Sequence, residues 1–227
     1  MKIELYNDRI GFVELVDHLG SDLSVVNSAR VSFGKQKEDI DEKDKKLIKY
    51  LVKKKHTSTL EHCAVTFRFK VPLFISKQHM RHRTWSYNEI SRRYTDFNIE
   101  FYEPEAFRKQ SESNRQASVE GANSNPVLLC GSDCDEAVRL HHQMALDLYG
   151  KMLKAGVCRE QARGVLPQNM YTEYYATANL NNIIKFVNLR IHEGAQWEIQ
   201  QVAKAVLDIT EELFPIAVGA YRKYESR

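Results

Sequence analysis

Two kinds of segment are missing from this chain. No apolar run approaches the ~20 residues that a helix needs to cross a bilayer, and no secretory pattern opens the sequence. A cytoplasmic protein with no membrane partner is expected. Cysteine is scarce, with 4 in 227 residues, too few for the disulfide scaffolds of small secreted domains, so reduced thiols are the default. A large excess of one charge sign is lacking too. A formal net charge of +3 is too mild to imply binding to long nucleic acid by itself. No internal repeat is visible.

What remains is a chain of 227 residues with 43% hydrophobic content, enough for a single domain spanning residues 1–227 around one core. The first sixty residues carry mostly helical signals: Ser21 can cap a helix toward Ala29, and Asp41 can open another through Leu47 to Val52. Ala64 to Val71 alternates strictly, with Val65, Phe67, Phe69 and Val71 on one face, which predicts a half-buried strand ended by Pro72. A short helix over Leu73 to Met80 and a strand over Phe97 to Tyr102 follow. Residues 104–131 are polar with little periodicity and read as a surface insertion. Helices are predicted from about Asp133 to Ala155, with Gly156 as the stop, from Ile183 to Ile191 and from Ala195 to Leu213, and a strand from Asn169 to Ala178.

The positive charge is concentrated. Arg81 to Tyr94 holds four arginines and one glutamate, so this stretch alone carries +3 and the rest of the chain is formally neutral. Arg is well suited to phosphate, since its planar fork makes two parallel charge-assisted hydrogen bonds. Arg81 and Arg83 alternate around His82, while Arg92 and Arg93 follow Ser86, Asn88 and Ser91. Two anion-binding ends joined by polar readers point to a nucleotide. A solvated basic loop is the plainer reading of such a run, but Trp85, Tyr87 and Tyr94 interleave with the charges, and clustered cationic, polar and aromatic groups mark a binding site. The stretch falls in a connection between regular elements, where functional residues concentrate. The rival from another class is a nucleic-acid module, with the arginines on backbone phosphate and the aromatics stacked on bases.

Arg81-His82-Arg83-x-x-Ser86-x-Asn88-Glu89-x-Ser91-x-Arg93-Tyr94 resembles the signature of the flavin-dependent thymidylate synthases. Three further elements resemble that family's. His56-x-Ser58-x-x-Glu61-His62 precedes the predicted strand; its histidines are six apart, not at the one-face helical spacing of metalloproteases. Arg159-Glu160-x-Ala162-Arg163-x-x-Leu166-Pro167 puts two arginines four apart, on one helical face, where an exposed charge pair is the bland alternative. Asn188-Leu189-Arg190 followed by Ala195-Gln196-Trp197-Glu198-Ile199 is the last. The likeness runs from Ala29-Arg30-Val31-Ser32 to Ile199, with 104–131 unmatched. Some relatives carry other residues where this chain has Asn181, Lys185 and Gly194, so flavin contacts from those side chains are not implied.

The resemblance implies an α/β fold, with helices around a mixed or antiparallel sheet. It implies conversion of dUMP to dTMP, with methylenetetrahydrofolate as one-carbon donor and FAD, recharged by NADPH, as hydride source. Ser32, His56, Ser58, Arg81, His82, Arg83 and Asn179 would hold FAD. Gln78, Arg81, Glu89, Ser91, Arg92, Arg93, Arg163 and Arg190 would hold dUMP, Arg81 being shared, and Arg190 would also help to ionise the pyrimidine. A homotetramer with shared active sites is implied as well. No metal is expected, although Cys130-x-x-x-Cys134 followed by His141-His142 loosely fits zinc spacing. No cysteine is expected to act as nucleophile. Cys158, one residue before Arg159, is the candidate nearest to cations.

Overall fold

The computed structural model of the chain describes residues 1–129 and 131–224. Cys130 lies outside them. At the centre, β3 (Ala64–Pro72) runs antiparallel to β9 (Tyr171–Asn179), in register from Ala64 opposite Asn179 to Pro72 opposite Tyr171. β1 (Lys2–Glu4) and β2 (Phe12–Leu19) extend the sheet on one side and β4 (Ser86–Glu89) on the other, in the order β1-β2-β3-β9-β4, antiparallel throughout.

The predicted alternation of β3 sets the two faces. Val65, Phe67, Phe69 and Val71 are fully buried, each stabilising the fold by roughly 1.5–3 kcal/mol through burial. Phe69 stacks on Tyr174 of β9 with ring centroids 5.1 Å apart. The opposite face is polar and half-buried: Thr66 and Thr177 hydroxyls meet at 2.9 Å, and Arg68 bridges Glu173 and Glu14 at 2.6 and 3.2 Å.

Helices α1 (Asp22–Arg30), α2 (Glu42–Lys53), α6 (Leu180–Arg190), α7 (Trp197–Leu213) and α8 (Pro215–Tyr224) contribute to the core with the sheet's apolar face. Ser21 and Asp41 cap α1 and α2 as the sequence predicts. α8 lies beyond the last predicted helix. Its first N–H groups find acceptors at a distance: buried Asp22 of α1 receives Ile216 and Ala217 N–H at 2.8 and 2.9 Å, a cap supplied from another element. α3 (Leu73–His79) links β3 to the cationic stretch. α4 (Cys134–Lys154), capped by Asp133, ends before Gly156 at φ +86°, a left-handed backbone that glycine adopts without penalty.

Five expectations need correction. The chain begins with β1 and β2 rather than with helices alone; β2 is buried only at Phe12 and Val13, exposed over its last four residues and bulged between Leu15 and Asp17, so its alternation is weak. The cationic stretch is not all connection, because Ser86–Glu89 forms the edge strand β4. No strand forms over residues 97–102, where a single bridge joins Phe101 to Met170; Asn98 has φ +51°, which breaks an extended run. The 104–131 segment is not merely loop: β5 (Arg108–Gln110) pairs with β6 (Ser118–Asn123), and β7 (Val127–Leu129) with β8 (Ser132–Asp133). The helix expected to carry both Arg159 and Arg163 is also short, since α5 spans Arg159–Ala162 and gives way to a 3-10 turn over Arg163–Val165.

Candidate active site

After α3 the chain makes two successive turns, with His82 N–H bonded to His79 C=O at 2.9 Å and Trp85 N–H to His82 C=O at 3.2 Å. Trp85 is the anchor. Its ring is buried among His79, Phe67, Phe69 and Phe186. The residues before it take alternate sides, so Arg81 and Arg83 are exposed while His82 is half-buried. Neither exposed guanidinium has a hydrogen-bond or ion-pair partner among the described residues. They are two free cations on a rigid support.

His82 joins the turn to the end of α6. Arg190 Nε donates to His82 Nε2 at 3.1 Å, and Arg190 Nη2 donates to the Gln78 carbonyl at 3.0 Å. Burial, and then the neighbouring Arg190 charge, push the His82 pKa down to about 4. A neutral imidazole that accepts at Nε2 carries its hydrogen on Nδ1. Burial lowers the Arg190 pKa as well, but a guanidinium remains charged at working pH. The buried His79 beneath them is held well below the ordinary histidine range by burial, with its Nδ1 2.9 Å from the Tyr174 hydroxyl.

Gln78 continues the network away from the sheet. Its Nε2 lies 2.6 Å from Gln196 Oε1, and Gln196 Nε2 lies 2.9 Å from Glu198 Oε2. Glu198 is 3% exposed and meets Arg108 Nη2 at 2.8 and 2.9 Å and the Tyr102 hydroxyl at 3.1 Å. Sequence reasoning assigned no role to Gln196, Glu198, Arg108 or Tyr102. Gln196 and Glu198 do lie within the fourth family-like element, but Arg108 belongs to the insertion, where nothing local signals a partner 90 residues away.

The second half of the cationic stretch is engaged differently. Glu89 accepts from Thr172 Oγ1 at 2.7 Å, and Ser91 Oγ accepts the Arg93 N–H at 3.3 Å. Arg92 is buried, with its terminal nitrogens on the Phe97 and Asn98 carbonyls at 2.7 and 3.2 Å. Arg93 pairs with Glu160 at 3.7 Å and Asp96 with Arg159 at 2.7 Å, which brings the third element to the end of the stretch. Arg163 is exposed, with no partner among the described residues. Beside these groups lies a cleft of about 560 Å³ whose walls include Lys70, Ile90, Arg92, Asn98 and Glu173.

The remaining flavin candidates collect elsewhere. Asn179 caps α6, its Oδ1 accepting Asn182 N–H at 2.9 Å. His56 and Ser58 lie at the 3-10 turn Thr57–Leu60, which packs against the start of α6, where Asn181 donates to Glu61 at 2.9 Å. Ser32 is exposed on the 3-10 turn Val31–Phe33 that extends α1. Asn179 and Arg190 stand at opposite ends of α6, roughly 16 Å apart at 1.5 Å per residue.

The thiols of the described residues do not enter this network. Cys63 is buried and its pKa is pushed up to about 11, mainly by burial. Cys134 is half-buried at the start of α4, and Cys158 is exposed with its sulfur 3.5 Å from Gln161 Oε1. No group of three or more metal-ligating side chains occurs among the described residues.

Residues 14–216 match the family described as thymidylate synthase complementing protein. A flavin-dependent thymidylate synthase from Thermus thermophilus is 45% identical over 214 residues, covering 94% of this chain and 76% of that protein. The chain belongs to the flavin-dependent thymidylate synthases. Another flavin-dependent thymidylate synthase, from Thermosipho melanesiensis, is 41% identical across 96% of this chain and 93% of its own length. Among solved structures, the UMP/dUMP methylase PolB from Streptomyces cacaoi, bound with 5-Br dUMP, superposes with a TM-score of 0.81 at 33% identity over 98% of both chains. The antiparallel sheet with its helical cover is thus the architecture of this flavin-dependent thymidylate synthase family.

Proposed function

We propose that the chain converts dUMP to dTMP, with methylenetetrahydrofolate as the one-carbon donor and FAD reduced by NADPH as the hydride source. The observation that carries this reading is the meeting of Arg190, His82 and Gln78 beside the unpaired guanidiniums of Arg81 and Arg83. Family membership supplies the reaction. The geometry supports the assignment of parts.

The donor set fits a flavin dinucleotide. Arg81 and Arg83 offer free charge-assisted donors for its pyrophosphate, His82 lies between them, and Ser32, His56, Ser58 and Asn179 add polar groups. When bound and reduced, FAD supplies the hydride that completes the methyl group, and the protein contributes position and charge. Gln78, Arg81, Glu89, Ser91, Arg93, Arg163 and Arg190 hold dUMP, with the phosphate on the arginines. Arg92, whose terminal nitrogens are already engaged, serves dUMP by holding the loop that carries Ser91 and Arg93. The Arg190 guanidinium, partly desolvated and directed by His82 and Gln78, stabilises negative charge developing on the uracil ring, the kind of term that usually contributes most to rate. A neutral His82 adds no competing cation.

The assembly read here is a homotetramer with active sites shared between subunits. In support, the two ends of α6 carry different parts of the ligand set, about 16 Å apart. In addition, Leu140, Met144 and Leu148 form an apolar line on α4 at 51%, 62% and 48% exposure, more than a solitary helix surface needs. Among the described residues no helix is long and apolar enough to cross a membrane, in keeping with a cytoplasmic enzyme that has neither membrane nor nucleic acid as partner.

The visible spectrum of the purified chain tests the reading. Flavin absorption bands that shift on adding dUMP are expected. A colourless protein that FAD cannot reconstitute, and that binds single-stranded nucleic acid with strong salt dependence, would replace the enzyme with the nucleic-acid module. PolB is also found bound with 5-Br UMP, so UMP belongs beside dUMP in the titration.

A further inference from the structure

We propose that Glu198 is a positioning residue that fixes which atom Gln78 shows to the pyrimidine, acting through Gln196. The inference rests on the reading of Gln78 as a dUMP ligand and goes on to say how that ligand is aimed.

A glutamine side chain is nearly symmetric in shape but opposite in polarity at its two ends, so either end can face a neighbour unless something decides. Here a carboxylate decides. The ion pair with Arg108 makes Glu198 an acceptor only, so the amide group of Gln196 that faces it at 2.9 Å must be the NH2. Gln196 therefore turns its oxygen toward Gln78, and Gln78 must answer with its own NH2 at 2.6 Å. The polarity runs in one direction along the relay. The atom of Gln78 left for a ligand is Oε1, an acceptor.

The residue that carries this acceptor lies against Arg190, whose Nη2 donates to the main-chain carbonyl of Gln78 at 3.0 Å. An acceptor next to a guanidinium donor complements the imide edge of uracil, where N3 carries a hydrogen between two carbonyl oxygens. Cytosine has a bare nitrogen at N3 and would meet the Gln78 oxygen with a second acceptor. A site that leaves a buried polar group unpaired against the wrong ligand discriminates far more strongly than one that only fits its shape.

The surroundings of Glu198 hold the relay rigid. Burial, and then the Glu198 charge, raise the Tyr102 pKa, so its hydroxyl stays protonated and donates to the carboxylate at 3.1 Å. Tyr6, in a positive-φ turn at +63°, donates its hydroxyl to the Glu198 backbone carbonyl at 3.2 Å. A cavity of about 310 Å³ lined mainly by Phe74, Tyr102, Phe107, Val138 and Asn169 backs the pair. Arg108 comes from β5, so the segment read from sequence as a silent insertion contributes the cation that keeps the relay polarised.

The test compares dUMP with dCMP as ligands of the FAD-loaded enzyme, reading dissociation constants from the flavin absorbance change and from competition, in wild type, Gln78→Ala, Gln196→Leu and Glu198→Gln. Gln196→Leu cuts the relay without touching the Arg108–Glu198 pair, so it remains informative if Glu198→Gln folds poorly. The expected result is a loss of dUMP affinity of about tenfold, the size of one net hydrogen bond, in Gln196→Leu and Glu198→Gln. The dCMP affinity should be unchanged or higher, so the preference for uracil narrows, and flavin content should stay at the wild-type level. If Gln78→Ala narrows the preference but the other two variants keep it, the relay is overturned and the reading of Gln78 survives. If Gln78→Ala itself leaves the preference intact, Gln78 does not read the base and both fall. Equal weakening of dUMP and dCMP marks a merely structural role and overturns the proposal.

Discussion

Arg190 closes a contact across 108 residues of sequence: its Nε donates to His82 Nε2 at 3.1 Å, from the last turn of α6 to the centre of the Arg-His-Arg turn. The bond requires a neutral imidazole, which makes it sensitive to acid.

His82 should titrate near pH 4, well below an ordinary histidine, because burial and Arg190 both disfavour its charged form. The linkage has a definite sign. Between about pH 6.5 and pH 4 the unfolded chain carries a proton on this residue that the folded chain does not. Folding stability from this group therefore falls as pH drops through that window and is restored above it. Chemical shifts of the His82 ring followed by NMR across pH 3–8 check the value. A midpoint near 6.5 would contradict the contact.

Arg81 and Arg83 are each needed to retain flavin. Alanine at either position should weaken FAD binding roughly ten- to a hundredfold, the size of one charge-assisted pair. Both side chains are exposed and have no partner among the described residues, so thermal stability of the apoprotein should change little. Unchanged FAD affinity in both variants by titration would remove them from the cofactor set.

Arg190→Ala and Arg163→Ala should weaken dUMP binding while the flavin spectrum is kept. The two differ in their effect on the fold. Arg190→Ala leaves His82 Nε2 and the Gln78 carbonyl without a donor, so it should also lower the melting temperature, whereas exposed Arg163 should not. Loss of FAD with normal dUMP affinity would exchange the assigned roles.

The sequence and the structure agree where the governing physics is local. Val65, Phe67, Phe69 and Val71 announce β3 by strict alternation, and Ser21 and Asp41 announce the starts of α1 and α2 by their capping chemistry. β2 escaped because most of its length is exposed, and β4 because Ser86, Asn88 and Glu89 carry no apolar pattern and owe their extended form to pairing with β9. Within the site, the signature was legible as a fixed run of residue types. The bond between His82 and Arg190 and the relay from Arg108 to Gln78 were not, because each joins distant residues through contacts that exist only once the sheet and α6 are in place.

No thiol should act as nucleophile. A thiol that attacks the uracil ring needs a depressed pKa, and Cys63 has the reverse, pushed up to about 11 inside the core. Cys158 is exposed, and its recorded polar contact is Gln161 rather than an arginine. A variant with all four cysteines changed to Ser or Ala, once shown to be folded and flavin-loaded, should keep turnover within about tenfold of wild type. A loss beyond about a thousandfold, the scale of removing a nucleophile, would require a thiol after all.

The most direct measurement is a single turnover under anaerobic conditions. The enzyme's FAD is reduced with NADPH, excess reductant is removed, and dUMP and methylenetetrahydrofolate are added while flavin absorbance and nucleotide products are followed together. The account predicts dTMP equal in amount to the flavin reoxidised, with neither change when dUMP is omitted. Formation of dTMP without flavin reoxidation, or reoxidation without dTMP, would contradict it.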